Sequence, residues 1–195
     1  MSSRTITYNE TDKHYEFEHE IRQTDISWED LKAPSTAINP VGLAAPPARN
    51  ATTGLLDFSP SGINTIAIAV QMPHAWKLES EISPHIHLWY PDGNAGNSVW
   101  KLEYQIAKIG AAFPGSYESD TKTFAAPEIA NQHQLHPFDD IDMTGIDGIS
   151  AMIVILLSRL GGDAADTYAS ALPLLEFDIH YQVDSLGSDE ETSKG

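Results

Sequence analysis

Turn-forming residues divide the sequence, from residue 55 onward, into eight short segments with the composition and period of β-strands. Glycine, proline, asparagine and aspartate fill the gaps, and these residues favour turns. Evidence for helices is poor, and only residues 164–171 suggest a short helix or a loop. The pattern predicts an all-β fold, an antiparallel β-sandwich of the jelly-roll type. The expected strands are 55–58, 63–72, 82–90, 98–108, 120–125, 132–138, 149–160 and 172–184.

An extended N-terminal arm is expected before the sandwich. Residues 33–54 contain four prolines among alanine and small polar residues. Proline fixes φ and removes a backbone donor, so we expect polyproline or irregular structure there. The predicted organisation is an arm over 1–54, a jelly-roll domain over 55–186 and a flexible acidic tail over 187–195. Two runs, 63–72 and 149–157, are almost continuously apolar and predict strands covered on both faces.

Composition excludes several classes of partner and chemistry. The chain has 28 acidic and 11 basic residues and a formal net charge of -17. Such a surface repels phosphate groups, so neither nucleic acid nor an anionic membrane is expected as a partner. The absence of cysteine excludes disulfides, thiolate catalysis and thiolate-ligated metals. No apolar run approaches the ~20 residues of a membrane span, and no signal peptide is visible, so synthesis in a cytoplasm is expected.

Two of the predicted strands carry ionisable side chains on one face. Side chains alternate between the faces of a strand, so His85, His87 and Trp89 share one face of the first strand. Asp178 and His180 share the polar face of the second, opposite a row of apolar residues. This pattern has two competing explanations. It indicates either a metal or catalytic site, or a polar sheet face that meets solvent or a neighbouring subunit.

A metal site is the first alternative. Its candidate ligands are His85, His87 and His180, with Glu103 or Glu176 as the carboxylate, because neutral imidazole is a common metal ligand. Cupin-type jelly rolls resemble this, with a His-x-His pair, a carboxylate and a later histidine lining the barrel. The sequence after His87 lacks the Gly-rich turn and following glutamate of the cupin pattern. Hydrogen bonding of these histidines across a sheet or interface is therefore favoured, and no metal or cofactor is expected.

A serine triad is the second alternative. Asp178 and His180 resemble an orienting carboxylate and a base, and Ser150, Ser158 or Ser185 would be the nucleophile. The sequence contains no Gly-x-Ser-x-Gly elbow, and paired charges on exposed strands are common without catalysis. We therefore expect no catalytic residue.

Carbohydrate binding is the third alternative. Trp76, Trp89, Trp100, Tyr90 and Tyr117 could provide stacking platforms, with aspartate and asparagine in the loops. Aromatic residues at strand spacing are more often core or interface anchors. The sequence does not select a pair of carboxylates suited to glycoside cleavage.

Several sequence phrases together carry a family resemblance that extends from Trp28 to Ser188. They resemble virion structural proteins of tailed bacteriophages and their prophages, of the capsid cement or decoration, head-fibre or tail-appendage type. The resemblance transfers no catalytic residue. The phrases are Trp28-Glu29-Asp30-Leu31, Met72-Pro73-His74-Ala75-Trp76-Lys77, Pro84-His85-Ile86-His87, Trp100-Lys101-Leu102-Glu103-Tyr104 and Leu174-Leu175-Glu176-Phe177-Asp178-Ile179-His180-Tyr181-Gln182-Val183-Asp184-Ser185-Leu186-Gly187-Ser188.

The resemblance implies a non-catalytic virion component. Jelly-roll subunits with extended arms pack around three-fold axes, so we expect a homotrimeric capsid cement or decoration protein that contacts the major capsid protein. The expected interface residues are Trp28, Trp89, His87 and His180. One alternative is a receptor- or glycan-binding module of a tail or head fibre, with a host surface glycan as ligand. A further alternative is a cupin-like metal-dependent enzyme.

Overall fold

The computed structural model describes residues 5–9, 14–18, 27–40, 45–190 and 193, the first two ranges for their backbone alone. These residues form no helix, and so none that is long and apolar enough to cross a membrane. The predicted arm and tail extend outside the described residues at 1–4, 10–13, 19–26, 41–44, 191–192 and 194–195. The strands are β1 (Thr5–Asn9), β2 (His14–Glu18), β3 (Ser27–Pro34), β4 (Ala48–Arg49), β5 (Leu56–Phe58), β6 (Ile63–Gln71), β7 (Ile82–Tyr90), β8 (Asn97–Ala107), β9 (Glu118–Ala125), β10 (Gln132–Pro137), β11 (Met152–Leu160) and β12 (Leu172–Val183).

Ten of these strands form two antiparallel sheets packed face to face. The first sheet has the order β10-β7-β12-β5-β4, with β3 also paired to β12, and the second has the order β6-β11-β8-β9. Apart from the β8–β9 hairpin, each connection between β5 and β12 crosses from one sheet to the other. The eight strands from β5 to β12, four in each sheet and joined in this way, form a jelly roll. The predicted fold class is therefore confirmed.

The eight predicted strands all form, with ends that differ from the prediction by three residues or fewer. The largest difference is at the start of β11, which begins at Met152. Ser150, immediately before it, has a φ of 62°, and the left-handed region interrupts an extended strand. The prediction that 63–72 is covered on both faces is wrong. β6 lies at the edge of its sheet, and Ile63 remains 57% exposed.

Part of the predicted arm is built into the first sheet. β3 pairs along β12 from Ser27 opposite Val183 to Pro34 opposite Glu176, and β4 pairs with β5. β3 and β5 thus occupy successive stretches of the same edge of β12. Further upstream, β1 and β2 pair with each other in a separate two-stranded sheet.

The core lies between the inner faces of the two sheets. Its largest buried side chains include Trp76 and Trp100, and the ring of Trp100 lies 4.8 Å from that of Phe58. Full burial of such aromatic side chains supplies a large part of the hydrophobic stabilisation. Trp76 and Trp100 are therefore core anchors, not platforms for a sugar.

A β-bulge in β12 determines which side chains face outward. The register with β7 shifts between Leu174 and Glu176, so two residues separate the inward-facing Leu174 from the next inward-facing residue, Phe177. A bulge changes the facing of every residue after it. Beyond the bulge, Phe177 joins the core, and Asp178 faces outward opposite His85 of β7.

Candidate functional site

The outer face of the first sheet carries an open groove with a volume of about 440 Å³. Its floor is made by alternate residues of β7 and β12, the two central strands, while β3 and β10 contribute the walls. Three carboxylates and one lysine line it, so the local charge is negative when the histidines are neutral. The lining residues are Asp30, Lys32, Ser83, His85, His87, Leu135, Glu176, Asp178 and His180.

Two histidines converge on one carboxylate oxygen at the centre of this groove. The Nε2 atom of His85 lies 3.5 Å from Oδ2 of Asp178, and Nε2 of His87 lies 3.3 Å from the same oxygen. One nitrogen from each ring and one carboxylate oxygen lie within 4.8 Å of one another. Asp178 is 2% exposed, whereas His87 keeps partial access to solvent. We call these three residues the central cluster.

The other ring nitrogen of each histidine also has a partner. Nδ1 of His85 lies 3.4 Å from the carbonyl oxygen of Ser83, and Nδ1 of His87 lies 2.6 Å from Nε2 of His133. A carbonyl oxygen can only accept, so His85 donates its Nδ1 proton to Ser83. The rings of His87 and His133 are stacked, with centroids 4.9 Å apart.

The electrostatics of the central cluster differ between its members. The hydrogen bond to Asp178 raises the pKa of His85 above its usual value, while burial lowers the pKa of His87. Burial acts to raise the pKa of Asp178, but the adjacent histidines and Glu176 outweigh it, so that this pKa lies below its usual range. Burial and the neighbouring Asp178 raise the pKa of Glu176. Asp178 is therefore the negative centre of the groove.

A second group of contacts borders the groove on the side of β3. Nδ1 of His180 lies 2.7 Å from Oδ1 of Asp30. The ring of Trp28 stacks on His180 with centroids 4.8 Å apart and an angle of 6° between the planes. Trp28 is 44% exposed. Trp89, the remaining expected interface residue, lines a different groove together with Asp92 and Pro173.

The structure brings together part of the predicted metal set and corrects the rest. His85 and His87 share the central cluster, and His180 lies in the same groove paired to Asp30. Glu103 lies in β8 of the other sheet, where it pairs with Lys101 at 2.8 Å. It therefore does not join the histidines. The cupin arrangement is also corrected, because these histidines face away from the core and do not line the space between the sheets.

The serine-triad alternative is not supported by the positions of its members. Asp178 faces His85 and His87, not His180. Ser158 shares a hydrogen bond with Thr65 in the second sheet. Ser150 contacts His74 and Gln71, away from this groove. The third candidate, Ser185, follows the end of β12 and accepts a hydrogen bond from the backbone N–H of Gly187.

The sequence did not identify His133 as part of the site, nor Asp178 as the carboxylate shared by two histidines. His133 belongs to the stretch 132–137, which forms a strand as predicted. The predicted strand was the available signal, because it places His133 and Leu135 on one face. The pairing of Asp178 with His85 depends on the register between β7 and β12, which joins residues far apart in the chain.

A second groove lies beside β8, with a volume of about 320 Å³. Tyr104 and Ile106 form part of its lining, and the carboxylates of Glu118 and Asp142 also line it. Burial raises the pKa of Tyr104, and the nearby carboxylates raise it further. The phenol therefore stays neutral and can donate or accept a hydrogen bond.

Comparisons with known proteins give structural similarities of low degree. No family model matches the sequence, and no curated protein matches it. The CBM35 from Cellvibrio japonicus Abf62 aligns with a TM-score of 0.41 and 13% identity over 78% of this chain and 92% of its own. Dimeric latent PorU from Porphyromonas gingivalis aligns with a TM-score of 0.38 and 10% identity, over 93% of this chain but 18% of its own. The arabinose-bound MgGH51 α-L-arabinofuranosidase aligns with a TM-score of 0.36 and 8% identity, over 80% and 23% of the two chains. TM-scores and identities this low do not indicate a function.

Proposed function

We propose that this chain is a non-catalytic structural subunit of a bacteriophage particle, a homotrimeric capsid cement or decoration protein that contacts the major capsid protein. The resemblance of the stretch from Trp28 to Ser188 to virion structural proteins motivates the assignment. The jelly-roll fold is compatible with it, because such sandwiches pack side by side around symmetry axes. The net charge of -17 keeps free subunits apart until they meet a specific partner.

The observation that carries the proposal is the open edge of β3. Within the described residues, β3 hydrogen-bonds to β12 on one side and to no strand on the other. An edge strand presents unpaired backbone groups to a further strand or to a neighbouring subunit. This edge carries the charged side chains of Glu29, Asp30 and Lys32. These charges restrict pairing to a partner whose charges are complementary.

Trp28 gives this edge an apolar anchor. It is 44% exposed although its ring is stacked on His180. Tryptophan is enriched at the centres of protein interfaces, where its burial contributes strongly to affinity. We infer that this edge and Trp28 contact the neighbouring subunit in the trimer.

The first experiment measures the mass of the purified full chain by light scattering during size exclusion. We expect a trimer that Trp28→Ala shifts toward monomer. Ile129→Ala is the matched control, because Ile129 is also an exposed apolar residue, at 58%, but lies outside β3. A stable monomer, or equal effects of the two substitutions, would contradict the role of the β3 edge.

The second experiment locates the subunit in the particle. Antibodies raised against the chain are used to label purified phage particles for electron microscopy. We expect label over the capsid shell. Label at the tail would contradict the cement function and indicate a tail or fibre protein instead. Particles that do not contain the chain would contradict the proposal that it is a virion component.

The groove beside β8 favours a second candidate function, recognition of a host surface glycan by a fibre module. Tyr104 provides an aromatic ring, and Glu118, Asp142 and Thr144 provide hydrogen-bonding groups. Sugars bind to this combination of aromatic surface and polar groups. Tyr117 is an exposed aromatic residue next in sequence to Ser116 and Glu118 of this groove. Binding to a glycan array that is lost in Tyr104→Ala or in Tyr117→Ala would favour this candidate. Binding unaffected by both substitutions would reject it.

A further inference from the structure

The spacing of the ligand atoms in the central cluster matches metal coordination. In a tetrahedral zinc site, bonds of about 2.0–2.1 Å place neighbouring ligand atoms roughly 3.3–3.4 Å apart. The two observed distances from Oδ2 of Asp178 are 3.5 Å to His85 and 3.3 Å to His87. One nitrogen from each ring lies within 4.8 Å of the other, so a modest ring rotation completes the third edge.

The hydrogen bonds of the rings leave the correct nitrogens available. Because His85 donates its Nδ1 proton to Ser83, its neutral form has an unprotonated Nε2. His87 reaches the same state when its Nδ1 donates to Nε2 of His133. Metal-binding histidines commonly donate their second nitrogen to a fixed acceptor in this way. Both unprotonated nitrogens then lie within 3.5 Å of Oδ2 of Asp178.

An unpartnered buried atom gives an independent reason to place a cation here. Asp178 is 2% exposed, and no described residue gives its buried Oδ1 atom a hydrogen bond. A buried carboxylate oxygen without a partner is costly, and protein sites avoid it by pairing or by coordinating a metal. The surrounding groove adds Asp30 and Glu176 against Lys32, which increases the attraction for a cation.

We propose that Nε2 of His85, Nε2 of His87 and the carboxylate of Asp178 bind a divalent transition-metal ion on the outer face of the first sheet. Zinc is the ion that best suits two imidazoles and one carboxylate at these spacings. The remaining coordination position faces the groove, where water or a ligand from outside the chain has room. Calcium and magnesium are disfavoured, because both prefer oxygen ligands.

The proposed ion joins the two central strands of the sheet. His85 and His87 belong to β7, and Asp178 belongs to β12. His133, from β10, acts as a positioning residue that orients the ring of His87. This site does not depend on the proposed virion function, because it requires neither a trimer nor a particle.

Zinc binding is tested by titrating ZnCl2 into the metal-free full chain and following the heat of binding. We expect saturation at one ion per central cluster, with no comparable binding of Mg²⁺ or Ca²⁺. Titration with Co²⁺ gives a second readout, since its visible absorption distinguishes four-coordinate from six-coordinate binding. Absence of saturable Zn²⁺ binding to the folded chain would overturn the proposal.

Variants distinguish this site from binding elsewhere on the surface. His87→Ala and Asp178→Asn are each expected to weaken zinc binding by more than about 100-fold, and His133→Ala by about 10–100-fold, the range for loss of an orienting partner. His180→Ala and Glu103→Gln are the matched controls and leave the affinity unchanged. Circular dichroism of each variant confirms that it is folded. Equal affinity in the wild type and in folded Asp178→Asn would overturn the assignment, as would a large loss in His180→Ala.

Discussion

Arg159 and Asp166 form a two-point ion pair inside the sandwich, with both side chains fully buried. Nε of Arg159 donates to Oδ2 of Asp166 at 3.0 Å, and Nη2 donates to Oδ1 at 2.8 Å. The guanidinium also donates to the carbonyl oxygens of Phe58, Tyr168 and Ser170. It therefore connects β11 to the end of β5 and to the loop before β12, and the carboxylate of Asp166 neutralises its charge.

Removal of Asp166 should leave this guanidinium buried and without its counter-ion. We expect Asp166→Ala to lower the free energy of unfolding by about 3–5 kcal/mol, the usual cost of breaking a buried pair on one side. Urea denaturation measures it. Asp147→Ala is the matched control, because Asp147 pairs with Lys108 on the surface, where solvent screens the pair and its loss costs little. If both variants lose a similar amount of unfolding free energy, the buried pair does not stabilise the fold more than the surface pair.

His136 should make the protein less stable in mild acid. Burial lowers its pKa from 6.5 to about 4, so the unfolded chain binds a proton that the folded chain excludes. Stability is then complete above pH 6.5 and decreases as the pH falls toward 4. The loss from this residue is about 2 kcal/mol between pH 6.5 and pH 5, measured by urea denaturation at both values.

The contribution of His136 is isolated by substitution. Its ring stacks on Phe124 and is hydrogen-bonded to the hydroxyl of Tyr90 at 3.0 Å. His136→Gln should reduce overall stability through lost packing but flatten the pH dependence. His180→Gln makes the same chemical change on the exposed face of the sheet and serves as control. If both variants keep the full pH dependence of the wild type, the origin assigned to it is wrong.

Gly161 is required by a close approach of two loops. A Cβ atom at this position would lie 2.6 Å from the carbonyl carbon of Pro60 and 2.7 Å from the carbonyl oxygen of Ser59. Backbone atoms cannot yield as a flexible side chain can, so Gly161→Ala should cost about 1–3 kcal/mol through overpacking. Gly115→Ala is the control, because a Cβ there meets nothing within 4 Å. Thermal unfolding of both variants checks this, and a neutral Gly161→Ala would contradict it.

The strands could be predicted from sequence because their signals are local. Alternation over Trp100, Leu102 and Tyr104 of β8, bounded by turn residues, depends on the pleat of a single strand. The exposure of β6 could not be predicted in the same way. Its apolar run, beginning at Ile63, indicates a strand, but only the sheet order places that strand at an edge.

The central cluster could be predicted only in part, because its geometry is non-local. His85 and His87 were recognisable as a pair, since a two-residue spacing on a strand places both on one face. The sequence pattern offered Glu103 or Glu176 as the carboxylate, whereas Asp178 takes that place in the structure. The crossovers place Glu103 in the other sheet, and the bulge before Glu176 turns Asp178 toward the histidines. Neither the crossovers nor the bulge can be recognised from a short-range sequence pattern.

Zinc should stabilise the folded chain if it connects β7 to β12 through the central cluster. An ion that binds the folded state alone adds about 2.7 kcal/mol at a concentration of 100 times its Kd. We therefore expect Zn²⁺ to raise the Tm of the metal-free wild type and a chelator to reverse the increase. His85→Ala should abolish the shift, because it removes one of the ligands on β7. His180→Ala should preserve it, since His180 pairs with Asp30 outside the cluster. A shift of equal size in both variants would place the stabilising ion elsewhere on the chain.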